Sequence, residues 1–234
     1  MLFEKVYIEG LDYHLPQDIV TSAEIEKRLG PIYERLKLPQ GRLELMSGIK
    51  ERRFWDKGIV PSEVATIAGE KAIARAGINK DNIGCLISAS VCRDFIEPST
   101  ASIIHRNLKI PSEAFVFDVS NACLGVLNGM MIIANMIDQN QILAGLVVAG
   151  ENGGPLLNNT IETLLSRPDI TRSTIKSSFA SLTIGSAAVG VVLSHKKISR
   201  QGHRLMGGVS LAETQFNHLC RGSDDSGTSG NWSP

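Results

Sequence analysis

Hydrophobic and polar positions along the chain follow two patterns, which predict strands separated by helices. Apolar runs at Cys85 to Ser90, Ile142 to Ala149 and Ala187 to Leu193 are typical of strands that are buried on both faces. Apolar residues at helical spacing predict a helix from Pro61 to Ala76, for which Gly77 supplies the C-cap. Strands that alternate with helices predict an α/β fold, in which helices cover both faces of a mostly parallel sheet.

Shorter signals predict three further elements. Val6 to Gly10 has the pattern of a first strand, and Thr21 with Glu24 forms a capping box that opens a helix. Another helix is predicted from Ser99 to about Leu108. Residues 31–58 are charged and predict a loop with some helix, and the pattern weakens towards the C-terminus.

One strand and the helix that follows it differ from the rest. Phe115 to Val119 predicts a strand, small polar residues make a tight turn, and an apolar run continues from Cys123 to Ile137. This helix is apolar nearly all round, so we expect it to be buried in the middle of the protein. Cys123 would lie in its first turn, where unpaired N–H groups and the helix dipole stabilise a thiolate. Placement alone is equally consistent with a buried structural thiol and with a nucleophile.

Composition excludes several classes of function. Hydrophobic residues make up 43% of the 234 residues, charged residues 21%, and the net charge is zero. This is the profile of a soluble globular protein, and it does not favour nucleic acid or an anionic membrane as the partner. No signal peptide is recognisable, and the apolar run after Cys123 is too short to span a bilayer. The four scattered cysteines predict reduced thiols in a cytoplasm.

Other candidate residues have simpler interpretations. A loop carboxylate such as Glu97 is more often solvated than functional, and Cys85 and Cys92 are typical of core thiols. His105 is typical of a surface or hydrogen-bonded core histidine. No Cys/His cluster has the spacing of zinc ligands, so no metal is expected. Gly150 to Gly154 lacks the phosphate-loop pattern and predicts a turn after a strand.

Four segments, in order along the chain, resemble the thiolase superfamily and specifically its ketoacyl-ACP synthase III-like branch. They are Ser47 to Arg53, Glu97 to Ala101, Asp118 to Gly125 and Gly185 to Leu193. In that family the cysteine that Cys123 matches is acylated by an acyl thioester, and a carbanion then attacks the acyl group in a Claisen condensation. The resemblance implies an acyltransferase of the 3-oxoacyl-ACP synthase III type, with Cys123 as the nucleophile and its backbone N–H as a contributor to an oxyanion hole.

The resemblance also implies a fold and its boundaries. The family fold consists of two similar βαβαβαββ halves, and this chain matches the first. We therefore expect a mostly parallel, five-stranded mixed sheet with a buried helix. Residues 1–200 would form this N-terminal half, and residues 201–234 would begin a linker to a second half and end in a polar tail.

Within the branch, two segments resemble the head-to-head acyl-CoA condensing enzymes of olefin and ketone biosynthesis, namely Arg93 to Ser99 and Phe216 to Arg221. Those enzymes carry a glutamate at the position of Glu97, and it reaches the active site of the partner subunit. The implied protein is a homodimer in which Glu97 takes the α-proton of a second acyl thioester. Acyl-CoA or acyl-ACP thioesters are the implied substrates, and no cofactor or metal is implied.

Two departures weigh against a housekeeping enzyme of fatty-acid initiation. In such enzymes a tryptophan and an arginine bind the CoA adenine. Their positions fall near Arg42 and Met46 in this chain, so this adenine-binding pair is absent. The Gly-Asp-Gly motif before the last strand is Gly185-Ser186-Ala187 in this chain. Both favour the olefin-type relatives, although an ordinary synthase that uses malonyl-ACP remains the alternative.

The family's histidine and asparagine partners of the cysteine belong to the second half. None of the five histidines lies in the family's histidine motif: His14, His105, His195, His203 and His218. A half-fold alone would expose a large apolar surface that its twin normally covers. We therefore expect the chain to be a fragment or to be completed by another chain. The non-enzymatic alternative is an inactive half-fold that serves as a binding or dimerisation partner.

Overall fold

The computed structural model describes residues 1–217. His218, Cys220 and most of the predicted polar tail lie outside the described residues. The strands are β1 (Val6–His14), β2 (Asp18–Thr21), β3 (Glu51–Phe54), β4 (Ile83–Ser88), β5 (Phe115–Asp118), β6 (Ala144–Glu151), β7 (Ala187–His195) and β8 (His203–Arg204). The α-helices are α1 (Ser22–Arg28), α2 (Gly30–Leu36), α3 (Arg42–Ser47), α4 (Pro61–Ala76), α5 (Thr100–Leu108), α6 (Gly125–Asp138), α7 (Gly154–Ser166), α8 (Arg172–Ser177) and α9 (Phe179–Thr183).

The chain divides into two compact units. The first comprises Met1–Leu15, Lys57–Asn152 and Ala187–Ser210, and the second comprises Pro16–Asp56, Gly153–Ser186 and, of the described residues, 211–217. The predicted boundary at residue 200 stays a prediction. Among the helices of residues 1–217, none is long and apolar enough to cross a membrane.

The first unit contains a mixed sheet whose strand order is β5-β4-β6-β7-β1-β8. The predicted α/β class and the mixed sheet are confirmed, but the sheet has six strands instead of five because the short β8 pairs with the edge of β1. Strands β1, β4, β5 and β6 run in one direction, as predicted. Only the pairs β4–β5 and β4–β6 are parallel, however, because β7 lies between β6 and β1 and runs antiparallel to both.

Helix α4 covers one face of the sheet, and its backbone lies unusually close to the backbone of the strands. A Cβ atom on Gly190 of β7 would lie 2.7 Å from the carbonyl oxygen of Ala68, and one on Gly10 of β1 would collide with the carbonyl oxygen of Ala72. A Cβ atom on Gly150 of β6 would likewise meet the first turn of α4. Glycines on three neighbouring strands therefore let the helix backbone lie directly on the sheet. This close packing explains why the predicted bounds of α4 and its Gly77 C-cap are confirmed.

Helix α6 covers the other face of the sheet with one side only. Gly129, Ile133 and Ile137 are buried against the sheet, at the spacing of one helix face. Leu127 on the opposite side is 57% exposed and Ile132 is 37% exposed. The expectation of a helix buried all round is therefore wrong for the residues described.

The second unit has its own core and a small sheet. Strands β2 and β3 form an antiparallel pair, and the predicted capping box of Thr21 and Glu24 opens α1. The carboxylate of Glu26 is buried and accepts hydrogen bonds from the backbone N–H groups of Gly41 and Leu43, both at 2.6 Å. It thereby fixes the loop that leads into α3.

The close approach of α4 gives a first testable expectation. Gly190→Ala should lower the free energy of unfolding by about 1–3 kcal/mol, because the new methyl group must push α4 away from β7. Urea denaturation followed by circular dichroism measures this change. Gly30→Ala is the matched control, since nothing lies within 4 Å of a Cβ atom there. Equal stabilities of the two variants would contradict this account of the packing.

Candidate active site

The candidate residues follow neighbouring strands at one edge of the sheet. Because β4, β5 and β6 are parallel to one another, their carboxyl ends meet at the same edge. The turn that carries Cys123 follows β5, and the loop that carries Glu97 follows β4. Open α/β sheets bind ligands beyond the carboxyl ends of their strands, so this edge is where the fold favours a site.

Cys123 lies in a short 3-10 turn, Ala122–Leu124, that leads directly into α6. The cysteine therefore comes just before the helix and not inside its first turn. Its side chain is exposed, and its backbone N–H has no hydrogen-bond partner among residues 1–217. An accessible thiol beside an unpaired amide donor can attack a carbonyl carbon and stabilise the oxyanion that forms.

The backbone of this turn is strained. Ala122 has a φ of +43°, in the left-handed region that costs a residue with a Cβ atom about 1–2 kcal/mol. Gly125 then lets the start of α6 approach the ends of β4 and β5, since a Cβ atom there would lie 2.6 Å from the carbonyl oxygen of Ala89. The local sequence therefore places the head of the helix, and with it Cys123, directly at the sheet edge.

Glu97 lies at the exposed tip of the loop between β4 and α5. Its carboxylate has no hydrogen-bond or ion-pair partner within the described part of the chain, and the Glu97–Pro98 peptide bond is cis. The neighbouring Phe95 is 58% exposed and Ile96 is 89% exposed. No hydrogen bond or ion pair joins Glu97 to Cys123 within residues 1–217. An apolar tip that carries an unpaired carboxylate is suited to insertion into another surface.

Two carboxylates hold the first part of this loop in place. Glu151, at the end of β6, accepts hydrogen bonds from the backbone N–H groups of Val91 at 2.7 Å and Cys92 at 3.2 Å. Asp94 accepts a hydrogen bond from the backbone N–H of Ser62 at 2.9 Å and another from the Ser62 hydroxyl. The loop is therefore attached to β6 and to the first turn of α4.

A third carboxylate connects the loop to the strand before Cys123. Asp118, the last residue of β5, accepts hydrogen bonds from the backbone N–H groups of Thr100 at 3.0 Å and Ala101 at 2.8 Å. These are the first two residues of α5, so the carboxylate also meets the positive end of a helix. In the sequence, Asp118 stands out only as part of a segment that resembles the family. The one signal of its role was an acidic residue at the end of an otherwise apolar strand.

The other thiols and histidines have structural surroundings. Cys85 is fully buried, and burial raises the pKa of its thiol to about 12, so it stays neutral. Cys92 is half-buried, with its sulfur 3.4 Å from the backbone nitrogen of Asn152. His105 forms a hydrogen bond through Nε2 to the carbonyl oxygen of Pro111 at 3.0 Å. Residues 1–217 contain no group of three or more His, Cys, Asp and Glu side chains arranged to hold a metal ion.

Known proteins resemble the chain over nearly its whole length. The acyl-CoA:acyl-CoA alkyltransferases of Xanthomonas campestris and Shewanella oneidensis are 40% and 39% identical to it, over 96% and 94% of the chain. The chain spans 66% and 64% of the lengths of these two relatives, which is just under two thirds. No protein-family model matches the chain.

Solved structures resemble it equally well. OleA of Xanthomonas campestris with acetamide bound superposes with a TM-score of 0.88 at 39% identity, covering 94% of this chain and 68% of that one. A 3-oxoacyl-(acyl carrier protein) synthase III of Xanthomonas oryzae superposes with a TM-score of 0.91 at 40% identity, covering 96% of this chain and 66% of that one. The chain therefore belongs to the ketoacyl-ACP synthase III-like family of thiolase-fold condensing enzymes, which includes the acyl-CoA:acyl-CoA alkyltransferases.

Proposed function

We propose that the chain is the Cys123-bearing part of an acyltransferase that joins two acyl thioesters head to head by a Claisen condensation. The observation that carries the proposal is the exposed Cys123 thiol, with its unpaired backbone N–H, in the strand–turn–helix of this family. The two acyl-CoA:acyl-CoA alkyltransferases at about 40% identity support the choice of substrates.

The first step is acyl transfer to the chain. The Cys123 thiolate attacks the carbonyl carbon of an acyl-CoA or acyl-ACP, and a new carbon–sulfur bond forms. The oxyanion of the tetrahedral intermediate meets the Cys123 N–H, and it then expels the thiolate of the carrier. The product of this step is an acyl-Cys123 thioester.

The second step forms the carbon–carbon bond. Glu97 takes a proton from the α-carbon of a second acyl thioester, and the resulting carbanion attacks the carbonyl carbon of acyl-Cys123. The bond to Cys123 breaks, the thiolate is regenerated, and a β-ketoacyl thioester leaves. A thioester α-proton is weakly acidic, so groups besides one carboxylate must stabilise the enolate. In the proposal, these groups, together with a histidine and an asparagine, come from a second half of the protein, which corresponds to the part of the relatives that this chain does not match.

The proposal makes the enzyme a homodimer in which Glu97 acts on the Cys123 of the partner subunit. Its support is the exposed, apolar tip of the loop that carries Glu97. The chemistry needs no metal or cofactor, since both reactants are thioesters. The free thiols of Cys85 and Cys123 are consistent with the cytoplasm as its compartment.

Acylation of Cys123 is tested directly. After incubation with a radiolabelled fatty acyl-CoA, the chain should carry label on the peptide that contains Cys123, and Cys123→Ser should reduce this label to background. Cys92→Ser is the matched control, because it removes a half-buried thiol from the same unit. Mass spectrometry of the digested protein locates the label. Label that persists in Cys123→Ser would contradict the assignment of the nucleophile.

The role of Glu97 is tested by measuring acylation and condensation separately. Both are measured in a protein that also contains the second half found in the relatives. Glu97→Gln should leave acylation of Cys123 unchanged and lower condensation by about 10²–10⁴-fold, the usual contribution of a positioned base. Glu70→Gln, an exposed carboxylate on α4, is the control and should lower neither step. Condensation that continues unchanged in Glu97→Gln would make Glu97 an ordinary solvated carboxylate.

Mixing two inactive variants tests whether Glu97 acts across the dimer. Dimers that combine a Cys123→Ser subunit with a Glu97→Gln subunit would contain one complete site, so random mixing should restore about a quarter of the wild-type condensation. No recovery would mean that Glu97 acts within its own chain. Condensation that requires malonyl-ACP, and that ignores a second acyl-CoA, would instead support the ordinary synthase III.

A further inference from the structure

A side-chain hydrogen bond spans the turn that carries Cys123. The amide Nδ2 of Asn121 donates to Oδ1 of Asn128 at 2.5 Å, and Cys123 lies between the two residues in sequence. Asn121 directly precedes the 3-10 turn, yet its side chain accepts no hydrogen bond from the backbone of that turn, as an N-cap asparagine usually does. It instead reaches to α6, so it connects the two ends of the turn.

This connection spans the strained residue. Ala122 holds its left-handed φ although a Cβ atom disfavours that region, so its surroundings must stabilise the conformation. The strain and one neutral hydrogen bond are of similar magnitude. A single bond between Asn121 and Asn128 is therefore strong enough to decide how often the turn adopts this shape.

The conformation of Ala122 determines where the reactive groups point. Rotation about its backbone bonds swings the following peptide group, which carries the N–H of Cys123, and also moves the Cα–Cβ bond that carries the thiol. We propose that Asn121 and Asn128 are a positioning pair, which holds Ala122 in its left-handed conformation and thereby presents the thiol and N–H of Cys123 together. This inference rests on the proposed function, in which Cys123 is the nucleophile.

The experiment measures how fast iodoacetamide alkylates Cys123 in the purified chain. Asn121→Ala and Asn128→Ala should each slow this reaction by about three- to tenfold, the effect of losing one hydrogen bond of ordinary strength. The double variant should be no slower than the slower single variant, because both substitutions remove the same interaction. Asn135→Ala is the matched control: it removes an asparagine two turns further along α6, whose side chain donates to the Met131 carbonyl oxygen.

Cys85 reports whether a variant has merely lost its fold. This thiol is buried and inert in the native chain, so its alkylation marks unfolding. Slower alkylation of Cys123 with Cys85 still unmodified supports positioning. Three results would overturn it: single variants within about twofold of the wild type, effects that multiply in the double variant, or slowing that is accompanied by alkylation of Cys85.

Labelling with acyl-CoA in parallel separates this inference from the proposed function. If the wild type is not acylated but the variants are alkylated slowly, the proposed function fails and the positioning pair stands. If the wild type is acylated and the variants are alkylated at the normal rate, the positioning pair fails and the proposed function stands.

Discussion

The two oxygens of the Asp118 carboxylate accept the first two N–H groups of α5, and the geometry of the candidate site depends on this interaction. The strand that ends at Asp118 leads into the Cys123 turn, while α5 begins where the Glu97 loop ends. One acidic side chain therefore sets the distance between the two segments that carry the proposed chemistry. An anion at a helix N-terminus is stabilised by the local N–H groups and by the helix dipole. Loops are generally more mobile than the elements they connect, and this interaction fixes the end of the Glu97 loop to the end of β5.

Long elements could be predicted from the sequence because local periodicity and caps agree with the tertiary packing. This holds for α4, for α5 and for the strands β1 and β4 to β7 of the first unit. The helices α7 to α9 and the pair β2–β3 were not predicted. They are mostly short, and their stability comes from the core of the second unit, which no local pattern shows. The burial of α6 was overestimated, since an apolar composition does not indicate what covers each face.

The candidate site was predictable in part. Cys123 and Glu97 were identified through a resemblance, and the structure places their loops beyond neighbouring parallel strands. Their fixed surroundings were not identified, because Asp118, Glu151 and Asn128 act by accepting hydrogen bonds from residues distant in sequence or across a turn. Residue type alone cannot show such pairing. The exposed side of α6 and the apolar tip around Phe95 are apolar surfaces that remain uncovered within residues 1–217.

The three glycines under α4 have a consequence for how this fold can vary. On that face of the sheet the neighbouring atoms are backbone carbonyls of the helix, whereas on the α6 face the glycines meet side chains of Ile133 and Val147. Aliphatic side chains can exchange with one another and repack, but a peptide carbonyl cannot be replaced by substitution. Sequence drift should therefore be unequal among the positions of the sheet: aliphatic residues can exchange with one another, while Gly10, Gly150 and Gly190 are restricted to glycine by the backbone of α4.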